Sequence, residues 1–281
     1  MKKNYTDRIE KAKKLLANAD FVLIGAGAGL STAGGFEYSG AKFDKYFKDF
    51  GDKYGFKDMY SGGFYPYKTE EERWAYWSRY VYINRYLEQT PNKAYAKLFD
   101  LIRNKNYFVI TTNVDHQFQI AGFDKNKLFY TQGDYGLFQC SVPCHDKTYD
   151  NEDLIKKMYN SQKDGKIPSE LIPKCPICGR NMEMNLRADD RFVQDSGWYE
   201  HARLYQEFID KIKGKKVVLL EIGVGYNTPS IIKYPFERLT YQNKDFSLIR
   251  INKDYPIATE ENKEKTICFN EDTMKVLQDL Q

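Results

Sequence analysis

The chain is predicted to be an α/β protein, a Rossmann-like doubly wound parallel sheet with a smaller inserted domain that is part zinc-binding and part helical. Three observations carry this. Residues 21–35, FVLIGAGAGLSTAGG, run from an apolar strand into glycines and then a helix start. Residues 216–223, KVVLLEIG, do the same before Gly223 and Gly225. Residues 136–184 differ in composition and carry four of the five cysteines.

A strand breaking into Gly25, Gly27 and Gly29 lets the backbone approach an anion with no Cβ in the way, and the helix that follows offers free N–H groups. A dinucleotide pyrophosphate, of NAD or FAD, is the expected occupant. The spacing is not that of a hydride-transferring dehydrogenase. Counting from Gly27 the sixth position is Thr32, and no acidic residue closes a second strand about 20 residues on.

In chain order, Thr6 is expected to cap a helix with Ile9, Ala12, Leu15 and Leu16 on its apolar face, ending before Asp20. Residues 36–66, rich in Gly, Tyr, Phe and Lys, read as a long loop region. Residues 70–89 form a helix with acids in its first turn, and Pro91 starts another that ends near Arg103. Strands follow at 107–111 and 127–131, each delivering polar residues at its carboxyl end, where open α/β sheets bind ligands. A polar helix is expected near 151–160 and a longer one over 197–213. SLIRIN and TICFN add strands, and a capped helix begins near Glu271. No internal repeat or low-complexity tract is evident.

Lys plus Arg number 43 against 39 Asp plus Glu, a net charge of +4, and the basic residues are scattered. No nucleic-acid stripe results. The 23 Tyr and 18 Phe carry no RNA-binding strand pattern and are read as packing. The N-terminus lacks a secretory signal, and no apolar run reaches the ~20 residues that span a bilayer, so a cytoplasmic protein is expected, with no membrane partner.

Cys140 and Cys144 precede Cys175 and Cys178, the second pair within KCPICGR. Each short loop can aim two thiolates at one tetrahedral zinc ion, and four thiolates close the site, so the metal is structural. The first pair has three intervening residues, and His145 competes as a ligand; four reduced thiols without metal is the plainer alternative. Cys268, inside an apolar strand, reads as a small buried hydrophobe.

Past the strand at 107–111 come Asn113 and Asp115, and past the next Gln132 and Gly133. Here the chain resembles the sirtuins, NAD-dependent protein-modifying enzymes, over nearly its whole length. Gly27-Ala28-Gly29-Leu30-Ser31 looks like their GAG-[IL]-S loop, Thr112-Asn113-Val114-Asp115 like their TQN-x-D, and the cysteine pairs like their zinc module. Gly223-Val224-Gly225 falls where they carry G-[TS]-S, and Ile251-Asn252 matches their IN. The resemblance implies an NAD-binding domain of residues 1–36, 90–135 and 185–281, and a small domain of 37–89 and 136–184. It implies NAD contacts at Gly27, Ala28, Gly29, Ser31, Asp115, Gly223, Val224, Gly225 and Asn252, with Asn252 on the adenosine ribose.

Three departures bear on the chemistry. Gln132-Gly133 stands where the deacylases have His-Gly, and an amide has no usable pKa near 7, so it cannot act as their general base. Glu37-Tyr38-Ser39-Gly40 replaces PDFR, and Asn185–Asp190 replaces the peptide-binding LRP-type stretch. Together they resemble the microbial class M sirtuins, encoded beside macrodomain proteins, which are protein ADP-ribosyltransferases. That resemblance implies Asn113, Gln132 and Arg187 as catalytic residues. It also implies an acceptor on a lipoyl-carrier protein resembling the glycine-cleavage H protein, and a macrodomain hydrolase acting on the product. The rival readings are a lysine deacylase, an NAD glycohydrolase and a non-catalytic NAD sensor.

Overall fold

The computed structural model describes residues 4–87 and 89–281. Residues 1–3 of the expected N-terminal piece and residue 88 of the expected 70–89 helix lie outside the described residues. The chain runs through α1 (Tyr5–Asn18), β1 (Phe21–Ala26), α2 (Ala28–Ala33), α3 (Ala41–Tyr54), α4 (Met59–Gly63), α5 (Glu70–Val81) and α6 (Lys93–Ile102). It continues with β2 (Tyr107–Thr111), α7 (Gln117–Ile120), β3 (Leu128–Tyr130), β4 (Gly133–Cys140), β5 (Tyr149–Asp150), α8 (Glu152–Asn160) and β6 (Met182–Leu186). Then come α9 (Ser196–Lys211), β7 (Val217–Ile222), α10 (Lys233–Gln242), β8 (Phe246–Ile251), β9 (Thr266–Phe269) and α11 (Thr273–Asp279).

Six parallel strands form one sheet in the order β3-β2-β1-β7-β8-β9. The direction of winding reverses between β1 and β7, so a crevice opens at their carboxyl ends, where both strands break into glycines. β1 and β7 are buried along their whole length because helices cover both faces. Alternate residues serve the two faces. Val22, Ile24, Val218 and Leu220 pack against Ile9, Leu16, Leu98 and Leu277 of α1, α6 and α11. Phe21, Leu23, Val217 and Leu219 pack against Ile212, Ile232 and Phe236, with α9 alongside.

A second core lies beside a three-stranded antiparallel sheet, β5-β4-β6. Phe43, Phe47, Phe50, Phe56, Trp74, Tyr76 and Tyr80 fill it, which accounts for much of the aromatic content. This corrects the reading of 36–66 as loop. Phe43, Phe47 and Phe50 recur at helical spacing along α3, with Gly40 at its start and Gly55, at φ +79°, closing it. The structure adds α4, α7, α10, β4, β5 and β6 to the elements expected from the sequence. Helix ends also shift. Asn4, accepting from the Thr6 amide, caps α1 in place of Thr6; Asn92 caps α6, so Pro91 lies before it; and α5 passes into a π-helical turn over Tyr82–Tyr86. Among the described residues no helix is long and apolar enough to cross a membrane.

Candidate active site

The β1–α2 and β7–α10 loops meet backbone to backbone. Gly29 N–H donates to Gly223 O at 3.1 Å, and a Cβ on Gly27 would lie 2.6 Å from that same oxygen. Gly223 sits at φ +62°, and its own Cβ would fall 2.5 Å from Gly29 Cα. Beside these loops is a cleft of about 640 Å³, lined by Gly27, Ala28, Gly29, Asn113, Gln132, Gly223, Val224, Gly225 and Asn252 among others. The structure therefore brings nearly all the expected dinucleotide residues together, in a space of the size that holds small-molecule ligands.

Ser31 and Asp115 are the exceptions, buried behind the loop and facing one another. Ser31 Oγ donates to Asp115 Oδ2 at 2.5 Å, and the Tyr95 hydroxyl is shared between Ser31 Oγ at 2.7 Å and Asp115 Oδ2 at 3.1 Å. Burial pushes the Asp115 carboxyl above its ordinary value, against the hydrogen bonds from Ser31, the Gln117 amide and Tyr95. This buried set orients Asn113. Its Nδ2 donates to Tyr95 Oη at 2.8 Å and to Gly27 O at 2.9 Å, which uses both amide hydrogens and leaves Oδ1 available to the cleft. Asn252 is likewise spent on the protein: Nδ2 donates to Val224 O at 2.8 Å, and Oδ1 accepts from the Asp254 and Tyr255 amides. Below that loop Glu221, fully buried, binds Lys233 at 2.7 Å and Arg250 at 2.8 Å, and Arg250 reaches on to Ile257 O.

A second cavity, of about 590 Å³, opens on the other side of Thr112 and Gln132, which line both spaces. Its walls include Tyr60, Trp77, Tyr80, Tyr135 and Leu186, with Arg187 on the rim. Gln132 and Arg187 are joined through backbone, since Arg187 N–H donates to Gln132 O at 3.0 Å. Gly133, at φ +96°, makes that contact possible, because a Cβ there would lie 1.9 Å from Asn185 O. Asn185 is buried and donates to Gln139 Oε1 and Val193 O, so it shapes the 185–193 loop from beneath. Arg191 is paired with Asp189; Arg187 is exposed and makes no ion pair among the described residues.

Sequence reasoning missed Tyr95, whose helical position reads as plain core, and the contact of His116 with Asp134. His116 takes a left-handed backbone, φ +63°, and its Nδ1 meets Asp134 Oδ2, while Arg85 reaches Oδ1 at 3.4 Å. Burial works against the Asp134 charge, yet His116, Arg85 and the Gly136 amide hold that carboxyl below its ordinary value. A polar residue directly after Asp115 in a turn was the one available signal.

Cys140, Cys144, Cys175 and Cys178 gather with all four sulfurs within 4.8 Å of one another. The Cys140–Cys178 and Cys144–Cys175 separations, 3.6 and 3.7 Å, match the edge of about 3.8 Å that a tetrahedron with Zn–S bonds of about 2.3 Å requires. The donor set fits zinc. His145 is not needed as a ligand: its Nδ1 lies 3.0 Å from Cys144 Sγ and its Nε2 2.8 Å from Tyr149 Oη. Cys268 is half-buried in β9, less enclosed than the sequence suggests. Chelating the metal is expected to lower the thermal midpoint by more than about 5 °C, because a structural zinc supplies folding free energy. Calorimetry with and without chelator checks this; equal midpoints for metal-loaded and stripped protein would contradict it.

No family model matches the chain. A protein ADP-ribosyltransferase of Staphylococcus aureus is 40% identical over 268 residues, covering 95% of this chain and 85% of that protein. A probable bifunctional ADP-ribose hydrolase/ADP-ribosyltransferase of Fusarium oxysporum f. sp. cubense is 32% identical over 85% of this chain, which spans only 41% of that longer protein. An NAD-dependent protein deacetylase of Clostridium perfringens is 25% identical over 96% of this chain and 97% of that protein. Among solved structures, a Sir2 homologue in complex with ADP-ribose superposes with a TM-score of 0.59 at 16% identity, over 96% of this chain and 94% of that one. A Sir2–peptide–NAD+ complex superposes at 0.54 and 19%, over 96% and 95%. At such identities the superpositions speak to fold, and the 40% relative to family. The chain belongs to the family of the Staphylococcus aureus protein ADP-ribosyltransferase, and it has the fold of the sirtuin structures.

Proposed function

We propose that NAD occupies the glycine-lined cleft, that its nicotinamide–ribose bond is cleaved there, and that ADP-ribose passes across the Thr112–Gln132 boundary to an acceptor in the second cavity. The observation that carries this is Gln132, an amide in the wall shared by both spaces, where chemistry beyond transfer would need a base. Gly27, Ala28, Gly29, Gly223, Val224 and Gly225 hold the pyrophosphate. Asn113 presents Oδ1 to the nicotinamide-side ribose and carboxamide as positive charge develops on the sugar. Ser31 and Asp115 act through Asn113, and Asn252 acts by shaping the adenosine-side loop, so these three position and do not touch the reacting bond. The leaving nicotinamide is neutral, so no strong acid is required. Arg187, exposed at the groove rim, holds a negatively charged acceptor.

The wider reading is a class M enzyme of the cytoplasm. Residues 1–36, 90–135 and 185–281 form its NAD-binding domain and 37–89 with 136–184 its small domain, with zinc at the four cysteines. The acceptor is a lipoyl-carrier protein of the glycine-cleavage H type, and a macrodomain hydrolase removes the modification. Incubation with adenylate-labelled NAD and the lipoylated carrier is expected to label the carrier. Loss of the acyl group from an acyl-lysine peptide, with the carrier unlabelled, would refute the reading. Gln132→His alone is expected to leave deacetylation below about one per cent of transfer, because the loop Asn185–Asp190 still forms a different groove; robust peptide deacetylation by that variant would show the groove argument wrong.

A further inference from the structure

The groove floor holds polar groups to which none of these roles is given. Tyr80, from α5, and Tyr135, from β4, line it beside Thr112, Val114 and Gln132. They are only 4% and 7% exposed, and their hydroxyl oxygens lie 2.9 Å apart. Tyr38 stands close by. The surrounding floor is apolar, with Met59, Trp77, Val114, Met184 and Leu186. Phenylalanines would pack there as well and bury no polar atom.

The trio is also held firmly by both parts of the molecule. Tyr38 O accepts from the Met59 amide at 2.7 Å, and its ring packs against Phe36 and Tyr60. Tyr135 N–H donates to Val114 O at 2.9 Å, which ties it to the loop carrying Asn113 and Asp115. Two hydroxyls bonded to one another spend one hydrogen internally and keep the other, with lone pairs left on both oxygens. They can accept from a protic nucleophile, or one O–H can turn outward to an anionic one.

We infer that the paired Tyr80 and Tyr135 hydroxyls position the acceptor for attack, an inference that rests on the transfer reading above. The C1′–N bond breaks with its electron pair leaving on neutral nicotinamide, and an acceptor oxygen lone pair forms the C1′–O bond. A carboxylate acceptor brings no proton, and the free O–H of the pair donates to the oxygen that does not attack; a water molecule attacking in its place releases its proton to solvent. Burial pushes the Tyr80 and Tyr135 hydroxyls well above their ordinary value, so they stay protonated and serve as donors, not bases.

Tyr80→Phe and Tyr135→Phe remove one oxygen each and keep the ring. Two rates separate positioning from structure: exchange of labelled nicotinamide into NAD, which needs only cleavage and its reversal, and capture of ADP-ribose by oxygen, read as label on the lipoylated carrier plus free ADP-ribose. Exchange is expected to stay within about twofold of wild type while capture falls about tenfold, the effect of losing one hydrogen bond to a charged group. Capture and exchange falling in parallel, or capture unchanged, overturns the inference. Wild-type protein that makes free ADP-ribose but leaves the carrier unlabelled refutes the carrier assignment alone, since the comparison then runs on water. Wild-type exchange with no capture by either oxygen overturns both.

Discussion

Asn113→Ala is expected to slow nicotinamide release by at least about a hundredfold, with the fold retained. One preorganised polar group facing developing charge contributes on the order of 10²–10³ in rate, and Asn113 is oriented from behind by Tyr95 and Gly27 so that Oδ1 is the atom presented to the cleft. The side chain is half-buried, so its removal leaves Gly27 O and Tyr95 Oη short of a donor at a stability cost of about 1–2 kcal/mol. Single-turnover release of nicotinamide, beside a thermal melt, separates the two effects. A variant with full activity would remove Asn113 from the mechanism. Asn113→Asp is an informative companion, because a carboxylate keeps an oxygen there but loses the donors to Tyr95 and Gly27.

Gly223→Ala is expected to weaken NAD binding by at least about a hundredfold. The added methyl would lie 2.5 Å from Gly29 Cα and from Leu30 N, and both obstacles are backbone, so no side chain can swing aside. The residue also sits at φ +62°, which costs a non-glycine residue about 1–2 kcal/mol. The two glycine loops must therefore separate, and a displacement of about 1 Å at such a site is worth about 10². The sheet beneath, anchored by the buried Glu221, Lys233 and Arg250, is expected to persist. Titration calorimetry with NAD and far-ultraviolet circular dichroism test the two halves; affinity within threefold of wild type would mean that the loops do not hold the dinucleotide.

The parallel sheet was legible because its central strands are buried on both faces and so appear as unbroken apolar runs, and because glycine marks where β1 and β7 end. The cysteine cluster was legible because its ligands come as close pairs. What escaped the sequence is non-local. β4 and β6 pair across some forty residues and bury polar side chains, Gln139 and Asn185 among them, whose partners are each other, so neither strand carries a clean alternation. α3 was hidden because Gly40, Gly51 and Gly55 punctuate a segment whose Phe43, Phe47 and Phe50 stripe is interleaved with lysine, aspartate and tyrosine. In the candidate site, Asn113, Gln132 and Arg187, named from the motifs, line the two cavities. That Ser31 and Asp115 turn away from the cleft, and that tyrosines 80, 95 and 135 bind polar groups there, depends on which helices pack against those loops.

The proposed function requires that an amide, unable to take a proton, stand beside the nicotinamide-side sugar and so limit the reaction to transfer. The most direct measurement is a crystal structure with NAD bound. The Gln132 side-chain amide is expected within hydrogen-bonding distance, about 3 Å, of a hydroxyl of that ribose. The dinucleotide seated with that sugar remote from Gln132, or an imidazole from His116 reaching the hydroxyl in its place, would contradict it.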